Sequence, residues 1–261
     1  MTKALFFDID GTLVSFTTHT IPSSTIQAIE QARSKGHKIF IATGRPKAII
    51  NNLGELQKRS LIDGYVTMNG AYCFVGDEVI YKSAIEEQEV RTMATFCQEK
   101  GAPCFFVKEH QISVCQPNAL VRQIFYDHLH VNEVPVSDFD QATEGEILQM
   151  TPFITEEEEN EVKGSLPNCE IGRWHPAFAD ITGIGNTKQK GIDEIIRYFG
   201  LDLKDTIAFG DGGNDISMLH HAAIGIAMGQ AVEKVKEAAD YVTASVDEEG
   251  IWKAMKHFEL I

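Results

Sequence analysis

The sequence lacks any hydrophobic run close to the ~20 residues that a membrane-spanning helix requires. Asp8 and Asp10 also interrupt the N-terminal apolar stretch, which argues against a secretory signal peptide. Basic side chains are scarce: 23 Lys and Arg residues stand against 38 Asp and Glu residues, and the formal net charge is −15. Because nucleic acids and anionic membranes bind basic faces, we expect neither as a partner.

Cysteines are few and scattered. The five cysteines are an odd number, and no Cys-x-x-Cys pair occurs among them. This pattern indicates neither a disulfide framework nor a zinc site. We therefore expect reduced thiols in a cytoplasmic protein.

The order of predicted elements divides the 261 residues into two domains. Over residues 1–83, apolar strand-like runs alternate with helical patterns, and the same rhythm returns over 184–261. The intervening residues 84–183 carry 18 acidic and 6 basic side chains, against 20 and 17 in the remainder. We predict an α/β fold, in which a doubly wound, Rossmann-like parallel sheet core receives an inserted α+β domain.

Proline and glycine mark several predicted element boundaries. The pattern predicts a helix that begins near Pro22 and ends at Gly36, and a second helix that begins at Pro46. A hairpin is predicted around Gly76 and Asp77. Further helices are predicted at 118–129, after Thr155, at 188–199, and over the runs NDISMLHHA and AVEKVKEAA.

Polar side chains collect where four predicted strands end. In chain order these residues are Asp8 and Asp10, Thr43 to Arg45, Asn69 and Gly70, and Asp211 and Asp215. The C-terminal ends of the strands in an open parallel sheet form its ligand-binding edge. The sequence therefore predicts that these residues meet in one site.

Asp8 and Asp10 lie two residues apart, so an extended chain places both carboxylates on one side, where they repel each other. A divalent cation would relieve this repulsion, and Mg²⁺ typically takes one or two carboxylates plus substrate phosphate. We predict a Mg²⁺ site formed by Asp8, the backbone carbonyl of Asp10, and Asp211. Asp215 is predicted to hold metal-bound waters or Lys188. Its alternative interpretation is a carboxylate favoured by a helix dipole.

Four stretches in this order resemble the motifs of the haloacid dehalogenase superfamily: DIDGT, ATGR, a lysine before a helix, and GDGGND. The insertion resembles the type-IIB cap of the Cof-type sugar phosphatases. The resemblance implies that Asp8 is a nucleophile that forms an aspartyl-phosphate. It implies that Asp10 protonates the leaving oxygen and later deprotonates the hydrolytic water.

The implied catalytic residues are Asp8, Asp10, Thr43 and Lys188. The implied phosphate contacts are Ile9, Thr43, Gly44, Lys188 and Asn214, with a helix N-cap as the alternative for Asn214.

Two lysines compete for the third motif. The run GIGNTKQKGI departs from the family pattern G-x-[S/T]-K-G, because Gln189 stands where a glycine is expected and Lys190 precedes the next glycine. We favour Lys188, which keeps the distance from Gly185, and we expect Thr187 to cap the helix. Lys190 is the alternative, and an ordinary surface lysine is the alternative for either.

A cap of this family would close over the leaving group and select it. The candidate specificity residues are Arg45, Asn69, Arg173 and His175. Trp174 lies beside two of them, and we expect it to pack in the core. The few bases at 84–183 show no cluster for a second phosphate, which favours monophosphates of neutral polyols.

We therefore expect a Mg²⁺-dependent phosphatase, that is, a phosphoric monoester hydrolase acting on small molecules such as hexose phosphates. One alternative is a phosphomutase of the phosphomannomutase type, and another is a phosphatase for a different small phosphate. A third is a metal-dependent phosphate-binding regulator without turnover. The oligomeric state is left open.

Overall fold

The computed structural model describes residues 2–261, apart from the side chain of Trp174. The chain divides into two compact units. The first unit comprises the residues up to Thr43, Asn52–Tyr81 and Thr187–Ile261, and the second comprises Gly44–Asn51 and Lys82–Asn186. The boundaries lie at 81/82 and 186/187, whereas the sequence pattern predicts 83/84 and 183/184. No feature of the sequence predicts that the segment Gly44–Asn51 belongs to the second unit. The assignment of the units as catalytic core and cap stays a prediction.

The described residues form strands and helices in alternation along most of the chain. The strands are β1 (Ala4–Phe7), β2 (Lys38–Ala42), β3 (Gly64–Thr67), β4 (Tyr72–Val75), β5 (Glu78–Lys82), β6 (Cys104–Val107), β7 (Ile112–Cys115), β8 (Gln149–Pro152), β9 (Cys169–His175), β10 (Phe178–Gly183), β11 (Thr206–Gly210), β12 (Ile224–Ala227) and β13 (Tyr241–Val242). The helices are α1 (Ser23–Ser34), α2 (Gly54–Lys58), α3 (Glu87–Lys100), α4 (Ala119–Val121), α5 (Phe139–Ala142), α6 (Glu156–Lys163), α7 (Lys188–Phe199), α8 (Ile216–His221), α9 (Glu233–Glu237) and α10 (Gly250–His257).

The sheet centred on the first unit has eight strands in the order β13-β12-β11-β1-β2-β3-β4-β5. Neighbouring strands from β13 to β3 are parallel, and β4 runs antiparallel to β3. The strand β1 is buried at all four positions, as expected where helices cover both faces of a parallel sheet. On one face, Ile192 and Ile195 of α7 and Met218 of α8 pack against Phe6 and Phe40. The predicted doubly wound α/β class is confirmed.

The second unit contains a five-stranded antiparallel sheet in the order β7-β6-β8-β10-β9. Helices α3 and α6 bury Met93, Cys97 and Val162 in the same apolar cluster as Met150 and Ile181 of the sheet. The helix predicted to start after Thr155 is confirmed, and Thr155 caps it in a capping box with Glu158. This unit is the α+β insertion that the sequence predicts.

The prediction that a helix begins at Pro46 is wrong. Pro46 is extended, with ψ 152°, and a three-residue 3-10 turn at Lys47–Ile49 follows it. Ile49 is buried in the second unit's cluster with Phe105 and Phe125, so tertiary packing overrides the local helical pattern. The helix α2, which is only five residues long, begins later, at Gly54.

Other helical predictions agree with the structure in part. Helices α1 and α7 and the hairpin between β4 and β5 are confirmed. The region 118–129 is helical, but most of it is a π-helix at Arg122–His128. Two helices, α5 and α10, were not predicted. Within residues 2–261, none of the helices is long and apolar enough to cross a membrane.

Candidate active site

The candidate site lies at the C-terminal ends of β11, β1, β2 and β3. The register places Phe7 of β1 opposite Phe209 of β11 and Ile41 of β2. The residues that come directly after these strands include Asp8, Thr43 and Asp211, so they lie at one edge of the first unit's sheet. This edge is where ligands bind in open parallel sheets.

Lys188, the first residue of α7, is fully buried in this cluster. Its Nζ lies 2.6 Å from Asp8 Oδ1 and 2.5 Å from Asp215 Oδ1. Burial alone would lower the pKa of Lys188, but Asp215 and Asp8 outweigh it and raise that pKa, so the ammonium group stays charged. Thr187 Oγ1 accepts the N–H of Lys190 at 3.2 Å, which confirms the predicted helix cap.

Lys190 lies in a different environment. Its Nζ is 2.7 Å from Glu194 Oε1, and its side chain is 37% exposed. A pair of this kind on a helix surface is an ordinary i,i+4 ion pair. The geometry therefore favours Lys188 over Lys190 as the lysine of the third motif.

Two aspartates hold the loop after β11. Asp215 Oδ2 accepts the backbone N–H groups of Asp211 and Gly212, at 2.9 and 2.8 Å. Asp211 Oδ1 accepts the hydroxyl of Thr12 at 2.7 Å. Asp215 is predicted to hold either metal-bound waters or Lys188, and in the structure it accepts a hydrogen bond from Lys188.

The carboxylates are crowded and buried, and their pKa values reflect it. Burial raises the pKa of Asp8; Lys188 opposes this effect, but the nearby carboxylates, Asp215 first, add to it, and the pKa stays well above its usual value. Burial and the charge of Asp215 raise the pKa of Asp211 to about 7. The protein alone therefore leaves excess negative charge at this site.

The donor set fits a divalent cation. One carboxylate oxygen from each of Asp8, Asp211 and Asp215 lies within 4.8 Å of the others. These three carboxylates and the Lys188 ammonium carry a formal excess of two negative charges, and oxygen is the ligand that Mg²⁺ prefers. Because Asp215 already accepts three hydrogen bonds, Asp8 and Asp211 are the better direct ligands.

The turn after β1 positions Asp10. The buried carbonyl of Ile9 accepts the N–H groups of Leu13 and Val14, at 3.0 and 2.8 Å. Asp10 is half-buried, and its Oδ1 lies 3.5 Å from Nδ2 of Asn52. This contact joins Asp10 to the segment that precedes α2.

Three further predicted residues of the first unit lie together. Thr43 is buried, and its carbonyl accepts the N–H of Asn69 at 3.1 Å. Asn214 Nδ2 donates to Asn69 Oδ1 at 3.0 Å. Asn214 lies inside the 3-10 turn Gly213–Asp215 that follows Gly212, so its alternative interpretation as a helix N-cap is wrong.

The remaining predicted residues belong to the second unit: Gly44, Arg45, Arg173 and His175. Buried Arg45 donates to the carbonyls of Ile49 and Leu129. Arg173 donates to Glu159 and to four backbone carbonyls, which favours a structural over a substrate-binding function. The ring of His175 stacks on Phe178, with 5.0 Å between centroids. The side chain of Trp174 lies outside the described residues.

Comparison with known proteins identifies the family. A model of the haloacid dehalogenase-like hydrolases matches residues 5–255. The chain belongs to this hydrolase family. The solved structure of the HAD subclass IIB sugar phosphatase BT4131 is 73% identical, covers 100% of both chains and has a TM-score of 0.97.

Two further relatives of this hydrolase support the assignment. BT1666 from Bacteroides thetaiotaomicron, a phosphatase of the HAD superfamily, is 37% identical over 100% of this chain and 96% of its own, with a TM-score of 0.87. A Bacillus subtilis protein named "Putative phosphatase YkrA" is 35% identical over 272 residues, which is 99% of this chain and 98% of the relative. The predicted Cof-type, subclass IIB membership and the phosphatase enzyme class are confirmed.

Three side chains that contact the candidate site are absent from the predicted set: Thr12, Asn52 and Gln230. Thr12 belongs to the DIDGT motif, so its position was a signal that could have been used. Gln230 donates through Nε2 to the carbonyl of Gly11 and accepts the N–H of Val246 at 3.2 Å. No local pattern marks Asn52 or Gln230, because their contacts join segments distant in sequence.

Proposed function

We propose that this hydrolase is a Mg²⁺-dependent phosphatase that hydrolyses small phosphate monoesters, above all hexose phosphates, through an aspartyl-phosphate on Asp8. The observation that carries the proposal is the buried Lys188 ammonium between Asp8 and Asp215 at the strand edge. A fixed cation there would both orient the Asp8 carboxylate and attract a phosphate dianion. A cluster that served only to stabilise the fold would be expected to have its buried charges balanced. This cluster has three carboxylates and one ammonium group.

Asp8, Asp211 and the backbone carbonyl of Asp10 would hold the Mg²⁺. When bound, the ion reduces the repulsion between an anionic nucleophile and an anionic phosphate. Asp215 would keep Lys188 and the loop after β11 in place, as its three accepted hydrogen bonds support.

The chain's own residues account for two in-line displacements. In the first, an oxygen of Asp8 forms a bond to phosphorus, the bond to the leaving oxygen breaks, and Asp10 gives that oxygen its proton. In the second, a water attacks phosphorus, Asp10 takes a proton from that water, and the bond between Asp8 and phosphorus breaks. The products are the free alcohol and inorganic phosphate, and both side chains return to their starting states.

The phosphate oxygens would be bound by donors of the first unit: the backbone of Ile9, the hydroxyl of Thr43, the ammonium of Lys188 and the amide of Asn214. The backbone N–H of Gly44, which follows Thr43 directly in the sequence, stays a predicted phosphate contact. Burial of Thr43 and Lys188 supports this set, since donors that are shielded from water stabilise developing charge most effectively.

The second unit favours a substrate with one phosphate and a neutral remainder. Five of its nine basic side chains lie within ion-pair distance of a glutamate: Lys82, Arg91, Lys100, Arg122 and Arg173. Paired bases do not form the positive cluster that a second phosphate requires. The relative BT4131, a sugar phosphatase, supports the same substrate class.

A panel of phosphorylated sugars and nucleotides, assayed with and without Mg²⁺, tests the proposal. We expect hexose phosphates to release inorganic phosphate fastest. Chelation should lower the rate by at least about 10²-fold, because the uncompensated carboxylates repel the substrate, and added Mg²⁺ should restore it. Isomerised sugar phosphate in excess of released phosphate would identify a mutase instead. Phosphate binding without turnover would identify a regulator.

Substitution of Asp10 should separate the two displacements. Asp10→Asn cannot donate a proton, so we expect hexose phosphate turnover to fall by about 10²–10⁴-fold. With p-nitrophenyl phosphate, whose leaving phenolate needs no proton, the first displacement should persist while hydrolysis stays slow. Rapid-quench kinetics should then show a burst of about one p-nitrophenolate per enzyme. An equal loss for both substrates without a burst would contradict the two functions assigned to Asp10.

A further inference from the structure

The loop that follows β3 has an unusual backbone. Met68, Asn69 and Gly70 have φ values of 51°, 50° and 99°, three consecutive residues in the left-handed region. Such a conformation is strained at a residue with a side chain, and it persists only where the surroundings enforce it. Asparagine adopts this conformation more readily than most residues with a side chain, so Asn69 fits the turn and also brings an amide to it.

This left-handed turn, Met68–Gly70, contacts three segments that carry proposed phosphate-binding residues. The N–H of Asn69 donates to the carbonyl of Thr43 at 3.1 Å. Its Oδ1 accepts from Asn214 Nδ2 at 3.0 Å. Gly70 packs so closely against the residue before Lys188 that a Cβ on it would lie 2.1 Å from the carbonyl oxygen of Thr187. All of these residues belong to the first unit.

We propose that the left-handed turn aligns Thr43, Asn214 and the start of α7 with one another, and that Asn69 is the positioning residue for Asn214. This inference rests on the proposed function, because it takes Asn214 as a ligand of the substrate phosphate. It differs from the sequence-based prediction, in which Asn69 selects the leaving group. If Asn69 served to contact the leaving group, that function would not explain why its amide oxygen accepts a hydrogen bond from Asn214.

The amide of Asn214 has one hydrogen-bond partner and one close backbone neighbour. Its Nδ2 donates one hydrogen to Asn69, and its Oδ1 lies where a Cβ on Gly212 would approach to 2.7 Å. A primary amide has two N–H groups, so the second stays available for a phosphate oxygen. Without Asn69, the Asn214 side chain regains rotational freedom, and a fixed donor becomes one that must be ordered in every turnover.

The test is a double-substitution cycle with Asn69→Gly and Asn214→Ala. Glycine accepts the left-handed backbone, so Asn69→Gly removes the amide and leaves the turn unstrained. We expect Asn69→Gly to lower kcat/KM by about 10-fold. In the Asn214→Ala background the same substitution should have no further effect, since its target is already absent. Additive losses in the double variant would overturn the inference.

The cause of the loss can be read from its dependence on the leaving group. A positioning residue for a phosphate ligand should change kcat/KM by the same factor for hexose phosphates and p-nitrophenyl phosphate, and should weaken inhibition by inorganic phosphate by a similar factor. Unequal factors for the two substrates would show that Asn69 contacts the leaving group and would overturn the inference. Unchanged kinetics in Asn69→Gly would also overturn it.

Ser60→Gly is the matched control, because Ser60 also has a positive φ, 52°, but is exposed. We expect its kinetics to equal those of the wild type. Failure of the proposed function would be distinguishable, since the wild type itself would then hydrolyse no monoester. In that event the shift in melting temperature with inorganic phosphate still reports on Asn69, and equal shifts in Asn69→Gly and wild type would overturn the inference.

Discussion

Asp8→Asn is expected to abolish phosphate release without unfolding the protein. The amide has nearly the same shape as the carboxyl but is not a nucleophile, so turnover should fall by at least about 10³-fold for every phosphate monoester. If the enzyme used no covalent step, Asp8→Asn would be expected to retain far more of its turnover. The measurement is inorganic phosphate release at saturating Mg²⁺, together with trapping of ³²P on the wild-type protein.

The stability of Asp8→Asn follows from the charges around it. Burial and neighbouring carboxylates raise the pKa of Asp8, which means that the folded protein disfavours the ionised form of this side chain. A neutral amide removes one of three crowded carboxylates while Lys188 keeps Asp215 as its partner. We therefore expect a melting temperature equal to or above that of the wild type in the absence of divalent cations.

A conservative surface change provides the control. Asp77→Asn alters the same functional group in the exposed turn between β4 and β5, where asparagine suits the backbone. This variant should match the wild type in rate and stability. Substantial turnover by Asp8→Asn, with a normal control, would contradict the covalent mechanism.

Lys188→Met should be the most destabilising single change in the site. Methionine fills most of the volume, but it leaves the Asp8 and Asp215 carboxylates buried without their ammonium partner. Breaking a buried ion pair by removing one partner typically costs about 3–5 kcal/mol. Urea unfolding in the absence of divalent cations should show a loss of this size, and phosphatase activity should fall by about 10²–10³-fold.

Lys190→Met is the matched control, two residues away on the same helix. Its pair with Glu194 is partly exposed, so the loss of stability should be about 0–1 kcal/mol, and activity should persist. If Lys190→Met instead abolished activity while Lys188→Met did not, the third motif would have to be assigned to Lys190.

The strand ends could be predicted because local pattern determines them. An apolar run precedes Asp8 in β1 and Asp211 in β11, and each run predicts a buried strand with a polar residue directly after it. Because the strands are parallel, these polar residues lie at one edge of the sheet. The choice of Lys188 could also be argued from spacing, since the cap residue Thr187 fixes where α7 begins.

Long-range contacts limited the rest of the prediction. Pro46 has the sequence features of a helix start, but burial of Ile49 among residues far along the chain decides its conformation. The contact of Asn69 with Asn214 spans 145 positions, and a single sequence carries no signal for it. Arg173 was a reasonable ligand candidate by type, and only its five donated hydrogen bonds reveal that it holds the turn after β9.

The short segment Gly44–Asn51 has a consequence for engineering. It leaves the first unit directly after Thr43, and Arg45 and Ile49 then form hydrogen bonds and apolar contacts with residues of the second unit. A minimal core made by splicing Tyr81 to Thr187 would therefore retain eight residues whose partners have been deleted. Chimeras that exchange substrate preference between relatives should transplant both stretches together, because the portable module is discontinuous in sequence.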